Sequence, residues 1–563
     1  MNEATIGAAY NRGEIAFFDD PATKRSIAQL ASGDSLVIYC GAGVTIDHTD
    51  LGWGDLIYKV LRSQIGHESS DHLTEQEATS LRQSLSPLEL ASVTVQYVEN
   101  AEPDRDATKA IVPQLQQMLY EKAGWQTGAL VRNVIRLAAG LSVLPGKRVE
   151  IITSNYDVYL EQAYDEYWRD AIKEKAPDVA GLIVRTLGTD KPRRNKKSKG
   201  TASQIELFYI HGRVQREGRA TGKLALSESD YHALYPDVTG KLKESFKNGN
   251  LLIIGSSLTD SPLLAALSAS KPEITGHGQG RSKESPTRVA LVPATSTNLS
   301  LSGARVFPRL KKHLNARMTQ FGVDMLVPDF HLQIAQYCQE VLTCAGLGKS
   351  YESYASARPV SRATYSKRLE SWWQHWKDDS AATNSNHMHG ELAKYLETLR
   401  NDFLDPDRGA REEYKLELWV RDHPDERRLV LWGTSAGVIT DRTILKWEPL
   451  GLDTDHVAVR AFVEGRPLWL SRDDLDDPEM RPQRRRWIEA IRGRWCRYLA
   501  VPIRVEADQL HLQAGVVLLA AMNGGNMQVP ADTQITRVPL GRAQDMRELV
   551  DALRALGRQM LAP

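Results

Sequence analysis

Four short stretches of the 563-residue chain combine small residues with groups able to hold a ligand or move a proton. Gly41-Ala42-Gly43-Val44-Thr45 directly follows an apolar run, where a turn of small residues lets backbone amides approach a pyrophosphate. Such turns also occur where a strand simply ends. Thr153-Ser154-Asn155-Tyr156-Asp157 closes a second apolar run, and its Asn and Asp could either cap the following helix or face a ligand. Tyr209-Ile210-His211-Gly212 brings an imidazole to the end of a third, suited to proton transfer near neutral pH unless it is merely a solvated surface histidine. Gly255-Ser256-Ser257-Leu258, with Asp260 and Pro262, places small polar groups between a strand and a helix.

The elements that position these stretches read as alternating strand and helix. Residues 35–40, 149–153, 205–210, 251–254, 289–292 and 325–327 are continuous apolar runs, the pattern of strands buried on both faces of a parallel sheet. Helical periodicity covers 53–61, 88–98, 129–141, 158–167, 262–267 and 331–342. This alternation predicts a Rossmann-like, doubly wound α/β domain over residues 25–345, with residues 54–145 as a helical insertion after the first strand. Four strand-end motifs in one such domain converge on a single sheet edge.

Residues 346–402 read as a small, polar linker followed by connecting helices containing Trp372, Trp373 and Trp376, which are expected to pack rather than bind. From about 411 the period changes to two. Leu416, Leu418 and Val420 alternate with polar neighbours, and 429–432, 498–505 and 511–522 continue the strand signals on either side of the turn at His423-Pro424-Asp425. With helices at 456–464 and 543–560, residues 403–563 are expected to form a smaller α+β domain on an antiparallel sheet.

Lysine and arginine number 71 and aspartate and glutamate 71, a net charge of zero that argues against general attraction to nucleic acid or an anionic membrane. The basic run Lys191–Lys199 lacks an aromatic residue for base stacking and reads as a solvated loop. No apolar stretch is long enough to span a membrane and the first twenty residues lack the order of a secretory signal, so a cytoplasmic protein is expected. Cys40, Cys338, Cys344 and Cys496 form no Cys-x-x-Cys pair, and no zinc or other metal site is expected from them.

Taken in order, Gly41-Ala42-Gly43-Val44-Thr45, Thr153-Ser154-Asn155-Tyr156-Asp157, His211-Gly212 and Gly255-Ser256-Ser257-Leu258 resemble the motifs of the sirtuin (Sir2) catalytic fold. The Pro-Asp-Phe-Arg that follows the glycine loop of deacylating sirtuins is replaced by Leu51-Gly52-Trp53-Gly54-Asp55-Leu56, and the four-cysteine zinc module is missing. Those departures resemble the SIR2-like branch of bacterial anti-phage systems, whose activity is hydrolysis of NAD.

The resemblance implies cleavage of the nicotinamide–ribose bond through an oxocarbenium-like transition state. Asn155 would hold the ribose or the attacking water, His211 would accept a proton, and Asp157 would orient a ribose hydroxyl or cap its helix. Gly41, Ala42, Gly43 and Thr45 would hold the diphosphate, with Ser154 nearby and Gly255, Ser256 and Ser257 toward the adenosine, while Asp47 lies near the nicotinamide or is a solvated loop residue.

The order of elements from Leu416 to Val505, including Gly465-Arg466-Pro467-Leu468 and Leu499-Ala500-Val501-Pro502, resembles a GAF domain. This implies either a sensor for a small molecule or phage protein, or an oligomerisation module. The expectation is a homo-oligomeric NAD hydrolase that depletes NAD in anti-phage defence. An NAD-dependent protein deacylase and a non-catalytic module sensing NAD or ADP-ribose are the rivals; the missing cysteines weigh against the first, and the presence of both Asn155 and His211 against the second.

Overall fold

The computed structural model describes residues 17–18, 20–49, 51–64, 75–101, 107–121, 128–173, 180–189, 193–194, 203–247, 249–271, 286–293, 307–328, 331–346, 371, 381–404, 413–421, 428–437, 446–450, 456–465, 467–472, 488, 495–507, 510–522 and 540–561. The linker after residue 346, Trp372, Trp373, Trp376, the His423-Pro424-Asp425 turn and most of the Lys191–Lys199 run lie outside them.

β1 (Ser35–Cys40), β2 (Arg148–Thr153), β3 (Gly181–Thr186), β4 (Arg193–Arg194), β5 (Gln204–Tyr209), β6 (Asn250–Ile254), β7 (Arg288–Leu291) and β8 (Asp324–Leu326) form one sheet in the order β4-β3-β5-β2-β1-β6-β7-β8. All pairings are parallel except β4 against β3. β1 shows why the apolar runs are unbroken: Leu36, Ile38 and Cys40 enter the core on one face, while Val37 and Tyr39 enter the core on the other.

The helices of this region are α1 (Pro21–Ser32), α2 (Trp53–Gln64), α3 (Glu75–Ser84), α4 (Pro87–Ala101), α5 (Ala107–Gln116), α6 (Ala129–Ser142), α7 (Tyr159–Lys173), α8 (Glu228–Phe246), α9 (Ser261–Ala269), α10 (Phe307–Thr319) and α11 (Leu332–Gly346). α1, α6, α7 and α11 cover one face and α8, α9 and α10 the other. The insertion between β1 and β2 has a small core of its own, with Ile57, Tyr58 and Leu61 of α2 packed against Ala78, Leu90 and Ala91. Because β1 sits between β2 and β6, the strand order reverses direction there, the place beyond whose carboxyl ends open α/β sheets bind ligands.

Helix ends on the α8–α9 face converge on one side chain. Arg288 opens β7, is 2% exposed, and donates through Nη2 to the carbonyls of Phe246 (3.0 Å) and Ser270, and through Nη1 to that of Leu267 (3.4 Å). The guanidinium thus satisfies terminal carbonyls of both α8 and α9, which have no partner within their helices. Arg288→Met is expected to destabilise the protein by about 2–4 kcal/mol, since buried acceptors lose their donor. Chemical denaturation of both proteins measures it, and a change below about 0.5 kcal/mol, the scale of a neutral surface substitution, would refute this role.

A second, separate sheet contains β9 (Tyr414–Val420), β10 (Arg428–Thr434), β11 (Trp447–Pro449), β12 (Leu468–Ser471), β13 (Arg497–Ala507) and β14 (Leu510–Ala521), all antiparallel, in the order β11-β10-β9-β14-β13-β12. Leu416, Leu418 and Val420 face a core shared with α12 (Ala381–Leu399) and α14 (Leu540–Leu561). Trp419 faces the opposite core, formed with α13 (Val457–Glu464). The period of two in β9 thus separates two cores.

The structure adds elements that the sequence expectation lacks: α1, α10 and β11, and also β3, β4 and α8. β3 is an additional strand, because its apolar core Leu182-Ile183-Val184 is cut short by Arg185, which reaches outward to Glu206 at 3.5 Å. β4, inside the basic run, pairs Arg193 and Arg194 with Val184 and Ile183, so that part of the run is a strand. α8 carries Pro236 inside it, yet begins with a full capping box between Ser227 and Asp230.

Candidate active site

The four chemically capable stretches end four consecutive strands, β5, β2, β1 and β6. Backbone hydrogen bonds continue the ladder past the strand ends: Ile210 N–H donates to Thr153 O (3.0 Å), Ser154 N–H to Cys40 O (3.0 Å), Gly41 N–H to Ile254 O (2.9 Å) and Gly43 N–H to Gly255 O (2.9 Å). The loops are therefore fixed to one another before any ligand arrives.

That registration explains the glycines. A Cβ on Gly41 would lie 2.5 Å from Gly255 O, and one on Gly43 would lie 2.7 Å from Gly255 Cα. Gly255 itself has φ +68°, a left-handed conformation that other residues adopt only with strain. The turn after β1 and the loop after β6 cross so closely that neither tolerates a side chain. Gly212 is a second case, with φ +89° and its would-be Cβ 2.7 Å from Lys223 O.

Between β1 and β2 lies a buried polar triangle. Thr45, 4% exposed, donates its hydroxyl to Ala42 O or to Asp157 Oδ2, each at 3.3 Å, and receives the Asn155 side-chain amide at 3.5 Å. Asp157 Oδ1 accepts the Tyr159 N–H at 3.2 Å, so it caps the start of α7 while its second oxygen serves Thr45. Burial raises the Asp157 carboxyl to about 6, against the opposing pull of these donors. Asn155 is 7% exposed; its donor end is engaged here, and its Oδ1 is buried with no partner among the described residues.

His211 completes the arrangement from β5. It is 7% exposed, lies against the Tyr231 ring at 5.4 Å between centroids, and has a buried Nδ1 without a partner among the described residues. Burial lowers the imidazole to about 4, so it is neutral at physiological pH. The loop carrying it is tied to the Asn155 loop, because Val214 N–H donates to Tyr156 O at 2.8 Å. Arg213 fixes the same loop to α7 through a two-pronged ion pair with Glu161, at 2.6 and 2.7 Å, and Tyr209 donates to that carboxylate at 3.0 Å.

Of the residues singled out from sequence, Gly41, Gly43, Thr45, Ser154, Asn155, Asp157, His211, Gly255 and Ser256 are thus linked directly or through one neighbour. Ala42 begins the short helical turn of the glycine loop. Ser256 Oγ accepts the Leu258 N–H at 3.1 Å, while Ser257 is exposed and hydrogen-bonded to Thr259 at 2.6 Å. The side chain of Asp47 lies outside the described residues.

Two neighbours were not singled out as site residues. His331, before α11, donates from Nε2 to Gly43 O at 3.0 Å, and Trp53, noted only as a departure from the sirtuin pattern, packs on Tyr156 at 5.3 Å between centroids. No local sequence signal marks the His331 contact, which spans nearly the whole parallel-sheet region.

The buried acceptors, the neutral imidazole and the close-set glycine turn at a switch point fit a site for a polar ligand whose groups replace the missing partners. Among the described residues no group of three His, Cys, Asp or Glu side chains is placed to hold a metal ion. No described helix is long and apolar enough to cross a membrane. Residues 149–314 match the family described as SIR2-like domain, which covers β2 to α10 and includes the Asn155, His211 and Gly255 stretches. No curated protein matches the chain.

Proposed function

We propose that the protein hydrolyses NAD to nicotinamide and ADP-ribose. The observation that carries this reading is the pair of buried atoms Asn155 Oδ1 and His211 Nδ1, without partners among the described residues, on adjacent loops of a region that matches a SIR2-like domain. The SIR2-like match supports a NAD-linked role, and hydrolysis is the step this reading adds. The nicotinamide ring of NAD carries its positive charge while bound and takes the bonding electron pair to leave as a neutral molecule, so catalysis needs positioning and stabilisation of the charge that develops at the ribose more than a strong acid. His211, held neutral by burial, accepts a proton from water or a ribose hydroxyl. Asn155 fixes the ribose or the attacking water through its free acceptor, and Asp157 acts through Thr45 and Asn155 to hold that amide in place. The main chain of Gly41 to Thr45 holds the diphosphate, and the Gly255–Ser257 loop lies toward the adenosine.

The first test is nicotinamide release by purified protein, with Asn155→Ala as the blank; no release above that blank, in the presence or absence of infected-cell lysate, would end this reading. A pH dependence follows from the carboxyl. Turnover is expected to fall as pH drops below about 6, where Asp157 takes up a proton and loosens its hold on Thr45 and, through Thr45, on Asn155, whereas His211 stays neutral to about 4. Asp157→Asn should lower the rate and flatten this acid limb; an unchanged limb in the variant assigns it to another group.

The reading extends to the second sheet. Uncontrolled NAD hydrolysis would kill the producing cell, so the resting protein holds a low population of its active state, which a signal must bind preferentially to shift. We assign that regulation to the GAF-like region from residue 403, acting on a homo-oligomer in anti-phage defence. A chain truncated after residue 350 is expected to differ sharply from the full chain in specific activity, either freed from inhibition or unable to assemble. Equal activity of the two, with and without phage-infected lysate, would separate the second sheet from control of the enzyme.

A further inference from the structure

The loop between β6 and α9 is held in an unusual conformation. Leu258, whose side chain is buried, has φ +56°, the one positive value at a non-glycine position among the described residues. Its N–H donates to Ser256 Oγ at 3.1 Å, and its carbonyl accepts from Arg317 Nη2 at 3.2 Å. Two residues on, Asp260 occupies the cap position of α9, yet its side chain bonds no helix amide.

Its carboxylate turns instead to the sheet. Asp260 Oδ2 accepts the hydroxyl of Tyr39, which is 1% exposed on β1, at 3.1 Å. The other oxygen, Oδ1, is hidden from solvent and has no hydrogen-bond partner among the described residues. Burial raises this carboxyl to about 6, so it is mostly ionised at neutral pH. A shielded carboxylate oxygen without a donor opposes folding, and capping does not account for it. What it lacks among the described residues is a donor, and a bound ligand can supply one.

Its position says which donor. Asp260 stands on the β6 side of the switch point, whereas Asn155 and His211 stand at the ends of β2 and β5, and a dinucleotide lies across such a point with one half on each side. We infer that Asp260 is a substrate-binding residue whose Oδ1 accepts a hydrogen bond from a ribose hydroxyl of the adenosine half, with Tyr39 as the residue that orients it. This rests on the NAD reading above and adds to it a contact on the side remote from bond cleavage.

The test is calorimetric titration of the full chain with ADP-ribose, comparing native protein, Asp260→Ala and Tyr39→Phe. Asp260→Ala is expected to weaken binding about tenfold or more and Tyr39→Phe a few fold. The thermal midpoint of unliganded Asp260→Ala should be unchanged or higher, because a carboxylate without a donor has been removed. ADP-ribose lacking both hydroxyls of its adenosine ribose should bind native protein and Asp260→Ala alike. Equal affinity of native protein and Asp260→Ala for ADP-ribose, with native protein binding normally, would overturn this contact alone. An equally large loss with the dideoxy ligand would overturn the ribose assignment, and native protein that binds neither NAD nor ADP-ribose would overturn the NAD reading and this contact with it.

Discussion

Asn155→Ala and His211→Ala are each expected to lower NAD turnover about a hundredfold or more while leaving the fold intact. Both side chains are buried at the ends of parallel strands, and each keeps one polar atom without a partner among the described residues, Oδ1 in one case and Nδ1 in the other. Removing such an atom takes away a group that costs stability when unliganded, so the thermal midpoint should hardly move. A group that serves packing alone would show the reverse, a lower midpoint with activity preserved in the folded fraction. The two variants need not match: Asn155 is anchored through Thr45 to Asp157, and its loss also disturbs that triangle. Near-native turnover by either variant in an activated sample would remove that residue from the mechanism.

The second large effect is structural and lies at the crossing of two loops. In Gly255→Ala the new Cβ meets the turn after β1 at Val44 N and Gly43, and the residue must hold φ +68°. Left-handed strain costs about 1–2 kcal/mol and overpacking about 1–3 kcal/mol, so a loss of about 2–5 kcal/mol is expected. Gly188→Ala separates the two contributions, because Gly188 has φ +77° but open space where its Cβ would stand. That substitution should carry the strain alone, about 1–2 kcal/mol. Denaturant titrations of both variants provide the comparison, and equal losses would mean that the crossing of the glycine loops contributes nothing.

How much of this was readable beforehand depends on the range over which each feature is specified. β1 announces itself because both of its faces are buried, which leaves an unbroken run from Leu36 to Cys40. The alternation in β9 was equally plain, since Leu416, Leu418 and Val420 share one core. β3 escaped notice because Arg185 interrupts its apolar run, and α8 because Pro236 hides a helix that Ser227 and Asp230 cap well.

At the site, each strand-end stretch was visible as residue types, but not why those types are needed. Gly41 and Gly255 look like separate ligand loops in sequence, and only the crossing of their backbones shows that each excludes a side chain from the other. The capping role of Asp157 was foreseeable from its place before α7, whereas its grip on Thr45 joins residues far apart in the chain. Nothing local distinguishes Asp260 from an ordinary helix cap, because the distinction lies in a carboxylate oxygen that the fold buries without a donor among the described residues.

The central claim is that water is the acceptor of the ADP-ribosyl group. The most direct measurement is mass spectrometry of the products formed from NAD in heavy-oxygen water, by the activated full chain, with and without an acetyl-lysine peptide. Hydrolysis predicts nicotinamide and ADP-ribose in equal amounts, one heavy oxygen at the ribose carbon that carried nicotinamide, and no dependence on the peptide. Nicotinamide released only when the peptide is present, together with acetylated ADP-ribose, would contradict it and make the protein a deacylase.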